Sequence, residues 1–336
     1  MLFTCEGELP VITDVRPTLD QVFEMLKQAA LQADSRDRIA AFAAEILRTC
    51  INSGEYTKYF RVWESYGVHV TPVHFYYPIP DTRELSARLW EAPSAVPGVD
   101  FNQRAQLELL SSFSRFRSEY DSVPMENQED PGEFHFSNPF FSGTDALVLY
   151  CMIRHFQPAA VVEVGCGFSS RMIRRAVRKN RRGRVTCIDP FAAGGLSEWF
   201  PEATVRREPV QDVDQSVFEG LGPGDIVFID SSHVARIGSD VNYLFLEVIP
   251  RLQPGVIVHV HDIFLPMEMR KDWVLDEMRF WTEQYLLQAF LAFNRQFEVL
   301  IANSWLELRH PAALRETFPH SPWWGGGSFW MRRRLA

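Results

Sequence analysis

Cysteine is scarce and poorly placed for cross-linking. The five cysteines in 336 residues, Cys5, Cys50, Cys151, Cys166 and Cys187, are odd in number, scattered, and never form a C-x-x-C pair. That excludes a small disulfide-stapled fold and a clustered thiolate zinc site, and it suits a reducing compartment. No apolar run reaches the roughly 18–20 residues that a bilayer-spanning helix needs, so no membrane association is expected. The start, MLFTCEGELPVITDVRP, lacks the basic residues and apolar stretch of a secretory leader, and the expected location is the cytoplasm. Basic excess is missing too: 34 Lys and Arg face 43 Asp and Glu, a net charge of −9, which argues against a dedicated nucleic-acid binder. No repeat with a period of about 20–50 residues and no low-complexity tract occurs, which excludes solenoids and fibrous chains.

What is present is the composition of an ordinary packed protein, 46% hydrophobic and 23% charged, long enough for a large α/β domain with an appendage. Aromatics stand out at 13%, with 26 Phe and 9 Trp, enough to wall a ligand pocket or to build a Phe-rich core. Leu19, Val22, Phe23 and Leu26, then Ile39, Phe42, Ala43, Ile46 and Leu47, recur at helical spacing and predict two amphipathic helices. Repeated prolines between Val68 and Val99 predict loop-like, extended chain. A third helix carries Leu107, Leu110, Phe113 and Phe116 on one stripe, and PMENQEDPG at 124–132 reads as a linker. Residues 1–132 are therefore expected to form a mainly helical region for substrate covering or oligomerisation, and 133–336 a second domain.

Beyond that linker, strand, loop and helix alternate. PAAVVEVGCG, RVTCIDP, GDIVFIDSS and PGVIVHVHD read as strands buried on both faces, with VNYLFLEVIPRL as a crossover helix, which predicts a doubly wound, Rossmann-like sheet. FEVLIANSWLEL and GGGSFWMRRRL read as a closing antiparallel strand pair with no helix between them. In such a sheet, ligands bind where the strand order reverses, at the strands' carboxyl ends. The first turn there, Glu163-Val164-Gly165-Cys166-Gly167-Phe168-Ser169-Ser170, offers two glycines for close backbone approach and two serines to cap the next helix. Asp189 ends the next strand, placed to accept ribose hydroxyls. A dinucleotide usually asks for a third glycine and no acid beside its pyrophosphate, but position 170 is Ser and Glu163 precedes the loop. S-adenosylmethionine, with an ammonium and a sulfonium and no phosphate, is the better match to an acidic strand end.

These motifs, in this order, resemble those of class I S-adenosylmethionine-dependent methyltransferases: VVEVGCG the first, CIDP the second, DIVFIDSSH the fourth. The terminal strand pair is similar to the hairpin that gives that fold its seven strands. VHFYYPIPD, NPFFSGTDALVLYCMIR, DSSH and HVHDIF look like the bacterial group that modifies natural products and sugars. The resemblance, over about residues 134–336, implies that Glu163, Gly165 and Gly167 surround the methionine half of S-adenosylmethionine. It implies Asp189 on the ribose, Gln211 and Asp212 near adenine, and Asp230 beside the cofactor.

Methyl transfer is an in-line displacement that needs the acceptor positioned and, for a hydroxyl, deprotonated. Asp230, Ser231, Ser232 and His233 end the fourth predicted strand; His259, His261 and Asp262 end the fifth, with both histidines on one face. One reading makes His233 or His261 the general base, with Asp262 at the same tip. Another makes Asp230, His261 and Asp262 ligands of a divalent metal that acidifies the acceptor. Resemblance to metal-dependent O-methyltransferases implies acidic ligands at 230 and 262, with His261 where a further oxygen ligand would stand. His259, deeper in the strand, reads as a core histidine. The basic run RMIRRAVRKNRRGR reads as a solvated helix face, and Trp323-Trp324-Gly325-Gly326-Gly327 as a flap or a turn into the last strand. The expected activity is O-methylation of a small organic acceptor, a secondary metabolite or sugar, by a chain that can self-associate. N-methylation, another use of the cofactor, and a non-catalytic assembly role are the alternatives.

Overall fold

The computed structural model describes residues 18–192 and 194–335. The segment MLFTCEGELPVITDVRP, with Cys5, lies outside the described residues. The chain divides into two compact units, Met1–Asp81 and Thr82–Ala336.

The first unit holds helices Leu19–Ala30, Ala33–Asn52 and Tyr56–Ser65, the third of which the periodicity reading misses. Thr18 opens the first with a capping box: its hydroxyl accepts from the Gln21 amide while the Gln21 side chain accepts from the Thr18 amide. None of the three helices has a buried residue. His74, Phe75 and Tyr76 form their own ring cluster, His74 and Phe75 stacked at 4.2 Å.

The second unit is built on strands β1 (Ala160–Val164), β2 (Arg184–Ile188), β3 (Ala203–Arg206), β4 (Ile226–Ile229), β5 (Ile257–Val260), β6 (Phe297–Ala302) and β7 (Phe329–Arg333). Their order is β3-β2-β1-β4-β5-β7-β6. The first five pair in parallel, and β7 inserts antiparallel between β5 and β6. β1, β4 and β5 are buried along their whole length, as their unbroken Val/Ile runs require when helices cover both faces. Chain order reverses between β1 and β4, so the crevice opens above Val164 and Ile229.

Three details depart from the sequence reading. The compact division falls at Asp81/Thr82, not at 132, because Phe113, Phe116 and Tyr120 are buried in the sheet unit's core and the Tyr120 hydroxyl bonds to the Thr317 carbonyl. Two helices, Asn303–Arg309 and Pro311–Thr317, do connect β6 and β7: the strand ends at Ala302, and Trp305, Leu306 and Leu314 turn into the core. The crossover VNYLFLEVIPRL is not one regular helix; a single α turn, Asp240–Tyr243, passes into wider and then tighter turns up to Pro250 and Arg251. The basic helix Phe168–Asn180 buries Met172, Ile173, Ala176 and Val177, while Arg174, Arg175 and Arg178 pair with Asp130, Glu133 and Glu202.

Candidate functional site

Gly165 leaves β1 at φ +85°, and a Cβ there would stand 1.7 Å from the Asp230 carbonyl oxygen. Its glycine is thus demanded by the crossing of two strand ends. Gly167 is different: a Cβ there would meet nothing within 4 Å, so the space above it is open. Asp189, after β2, accepts from the Cys166 amide at 3.0 Å and the Phe191 amide at 2.7 Å, which stiffens the loop and leaves lone pairs on both oxygens.

Two cavities meet at this point. One, of about 460 Å³, is lined by Asp189, Phe191, Gln211, Asp230, Arg236 and Asp240 among others. The second, of about 420 Å³, is walled by Phe140, Phe141, Phe168, Arg171 and Trp199 over the glycine loop. Gly165, Asp189 and Asp230 border both. In the first, the Gln211 amide donates to the Gly238 carbonyl at 3.0 Å, while its Oε1 is buried without a partner. Asp212 is exposed and does not line it.

Glu163 lines neither cavity. It is fully buried beneath the loop, where its two oxygens accept from Ser169 at 2.7 Å and Ser170 at 2.6 Å. Ser170 in turn accepts from the Gly167 amide at 3.1 Å, so the carboxylate holds the loop's shape. Burial pushes this acid up to about 7, against the lowering effect of the two serines and Cys187.

Behind Asp230 stands a buried chain of alternating acids and imidazoles. His233 Nδ1 meets Glu283 Oε2 at 2.9 Å, and its Nε2 faces Asp230 Oδ1 at 3.3 Å and Asp262 Oδ2 at 3.5 Å. His261 Nδ1 faces Asp230 Oδ1 at 3.5 Å and Asp262 Oδ1 at 3.6 Å, with its Nε2 3.4 Å from Asp145 Oδ2. Asp145 is held by the amides of Gly327 and Ser328 and by Asn303, so the Trp323–Gly327 segment is a turn into β7 that clamps this acid. Trp281 packs on His233 at 4.4 Å. Burial opposes charge on His233, but Asp230 and Glu283 outweigh it and push the ring up to about 10. His261 is likewise raised by Asp262 and Asp230 against its burial, and despite its own burial Asp230 is held low by the two rings. His259 is apart: buried, stacked on Phe228 at 4.0 Å and bonded to Ser328 at 3.0 Å, it belongs to the core. Of the four strand-end groups, only Asp230 borders the cavities.

Alternation along β5 makes His261 visible in the sequence, and the strand tip makes Asp262 visible. Glu283, Asp145 and Trp281 are missed as site residues: each comes from an element remote in the chain, and although Asp145 lies in the quoted segment NPFFSGTDALVLYCMIR, nothing local marks it as facing His261. Were the divalent ion of the sequence reading magnesium, it would want six oxygen ligands. Two imidazoles aimed at the same acids do not fit it.

Residues 162–263, from β1 through Asp262, match a family model described as a methyltransferase domain. Over that segment the chain is similar to a methyltransferase domain. An uncharacterized protein of Archaeoglobus fulgidus is 30% identical to it over 160 residues, 45% of this chain and 72% of that protein. The two belong to one family. Among solved structures, the O-methyltransferase TomG of Streptomyces achromogenes, crystallised with SAM, aligns at 17% identity over 68% of this chain and 90% of TomG, with a TM-score of 0.37. The plantazolicin methyltransferase BamL aligns at 13% identity over 70% of this chain and all of BamL, TM-score 0.38. The matched methyltransferase domain contains the glycine loop, Asp189, Asp230, His233, His261 and Asp262. Among the described residues, no helix is long and apolar enough to cross a membrane.

Proposed function

We propose that this protein transfers the methyl group of S-adenosylmethionine to a hydroxyl of a small organic acceptor, of the secondary-metabolite or sugar type. The observation that carries the reading is the junction of two cavities at Gly165, Asp189 and Asp230, inside a methyltransferase domain. The first cavity suits a nucleoside. Asp189 has lone pairs for ribose hydroxyls, Phe191 offers an apolar platform, and the unpartnered Gln211 Oε1 can accept from an adenine amino group. The second, above the open face of Gly167, suits the methionine half and the acceptor's entry, with Phe140, Phe168 and Trp199 as aromatic walls. That support for an aromatic enclosure comes from the sheet unit.

When bound, the cofactor supplies an electrophilic methyl group. The residues' task is to hold the acceptor oxygen near it and receive a proton. Asp230, which borders both cavities, would meet the acceptor hydroxyl and take its proton as the methyl group is transferred; His233, His261 and Asp262 act from behind it. Glu163 serves the cofactor indirectly, by holding Ser169 and Ser170. The four described cysteines are free thiols, which supports a cytoplasmic setting.

Calorimetric titration with S-adenosylhomocysteine and, separately, with NAD tests the reading. Heat of stoichiometric binding is expected with the first only. Binding of NAD alone, or of neither, overturns it. Asp189→Ala should weaken S-adenosylhomocysteine binding at least tenfold.

A further inference from the structure

Given the methyl-transfer reading, on which this assignment rests, we propose that the acceptor carries a carboxylate on a flat apolar body and that Arg171 binds that carboxylate. Arg171 stands near the start of the helix Phe168–Asn180 and borders the second cavity, of about 420 Å³. Among the described residues that line this cavity it is the one cation. Its guanidinium lies over the Phe168 ring at 4.3 Å and near the Trp199 ring at 5.6 Å. Phe140 stacks on Phe168 in turn, at 6.1 Å and 24°. Aromatic faces fix the plane of a guanidinium without neutralising it.

The charge of Arg171 is unspent, unlike that of its neighbours. Arg174, Arg175 and Arg178 on the same helix pair with Asp130, Glu133 and Glu202. Among the described residues no carboxylate pairs with Arg171, and its Nε is buried without a hydrogen-bond partner. Asp130, the acid whose field reaches it, is committed to Arg174 at 2.9 Å and to the Gly132 amide at 2.8 Å. A half-buried guanidinium with no acceptor carries a desolvation cost that a bound anion relieves. A carboxylate matches its planar fork with two parallel bonds, and the aromatic walls favour a flat apolar body behind that group.

The methionine half of the cofactor has a carboxylate too, but other donors stand nearer the glycine loop. The first-turn amides of Phe168 and Ser169 follow Gly167 directly and have no acceptor within their helix. They lie at its positive end, where an anion is stabilised. Arg171 lies further along, against the aromatic wall, so each of the two anions has its own donors. Asp189 and Asp230, at the junction with the first cavity, supply negative charge for the cofactor's cationic centre; Arg171 supplies the opposite charge for the acceptor.

The test is binding of para-coumarate, a flat aromatic hydroxy acid, and of its neutral amide by the whole protein, with and without saturating S-adenosylhomocysteine. Calorimetric titration should show the acid binding about 10–100-fold tighter than the amide. Arg171→Gln should remove this preference while leaving amide affinity within about twofold, and Arg171→Lys, a cation without the planar fork, should restore part of it. Arg178→Gln, on the same helix but paired with Glu202, should leave the preference unchanged. Circular dichroism verifies that each variant is folded, and the wild-type comparison of acid with amide needs no variant. No binding of the acid, equal binding of acid and amide, or a preference kept by folded Arg171→Gln would each overturn the assignment. So would a loss of about tenfold in S-adenosylhomocysteine affinity in Arg171→Gln with the preference intact, because the arginine would then hold the cofactor's carboxylate. Titration of the same samples with S-adenosylhomocysteine separates the two proposals: cofactor binding without acid preference sinks only this one, and acid preference without cofactor binding only the methyl-transfer reading.

Discussion

Between Leu19 and Ser65 three helices carry apolar faces in which no side chain is buried, whereas β4, only four residues long, is buried throughout. Both regions spend apolar residues in regular patterns. A helical stripe specifies which side of the helix is apolar, but burial needs a second surface of matching shape. Within the sheet unit that surface comes from neighbouring strands and from helices such as Gly143–Phe156, buried over most of its length. Phe23, Phe42 and Ile46 remain exposed. Periodicity is therefore enough to predict an element and too little to predict a core.

Substitutions sharpen the contrast, beginning with the largest effect. Gly165→Ala forces a side chain into left-handed backbone and into the Asp230 carbonyl, and should cost more than about 4 kcal/mol or prevent folding. Gly67→Ala, also at positive φ but with no atom within 4 Å of the new Cβ, should cost about 1 kcal/mol. Urea unfolding of both variants checks this, and equal costs would break the contrast. Next, Phe228→Ala in β4 should destabilise by about 3–5 kcal/mol. Phe42→Ala in the helical unit should stay below about 1 kcal/mol. A Phe42→Ala loss as large as that of Phe228→Ala would mean that the helical stripe is buried in solution.

A third effect depends on pH. Burial raises the Glu163 acid, so its protonated form is the one folding favours. The associated stability is present below the ordinary glutamate range, about pH 4.5, and is lost as pH rises through about 7. Glu163→Gln should remove that dependence, by at most about 3 kcal/mol between pH 4.5 and 8. Thermal melts of both proteins across that range give the comparison, and parallel curves would contradict the assignment. The smallest effect belongs to the helical unit: Arg48→Ala breaks an exposed pair with Glu45 at 2.9 Å and should change stability by only about 0.3–0.5 kcal/mol.

Legibility followed physical range. β1, β4 and β5 were readable because strands buried along their whole length are dominated by Val and Ile, with Glu163 and His259 the polar exceptions, and β2 because its short β-branched run ends at a proline turn. Gly165 and Asp189 were readable because a tight strand-end turn and a carboxylate at the next strand end leave local marks. His261 followed from two-residue alternation with His259, and Asp262 from its place at the tip of the same strand. By contrast, Glu163 reads as a cofactor residue until Ser169 and Ser170 are seen to take both its oxygens. Asp212, next to the cavity-lining Gln211, faces solvent because a single short turn directs the two side chains apart. The helices after β6 were hidden because seven residues make too few turns for a periodic signal.

The sequence by itself determined the alternating α/β plan, the strands that can only be interior, and the acidic and glycine-bearing strand ends where a ligand crevice must open. Those follow from backbone periodicity and residue chemistry within a few positions. Only the tertiary structure decided that the Trp-Gly turn clamps Asp145, that Glu283 meets His233 across fifty residues, and that Asp230 alone connects the buried acid–imidazole cluster to the cavities. Such pairings are made by the crossing of elements distant in the chain, and no local pattern encodes which of many buried acids will face which ring.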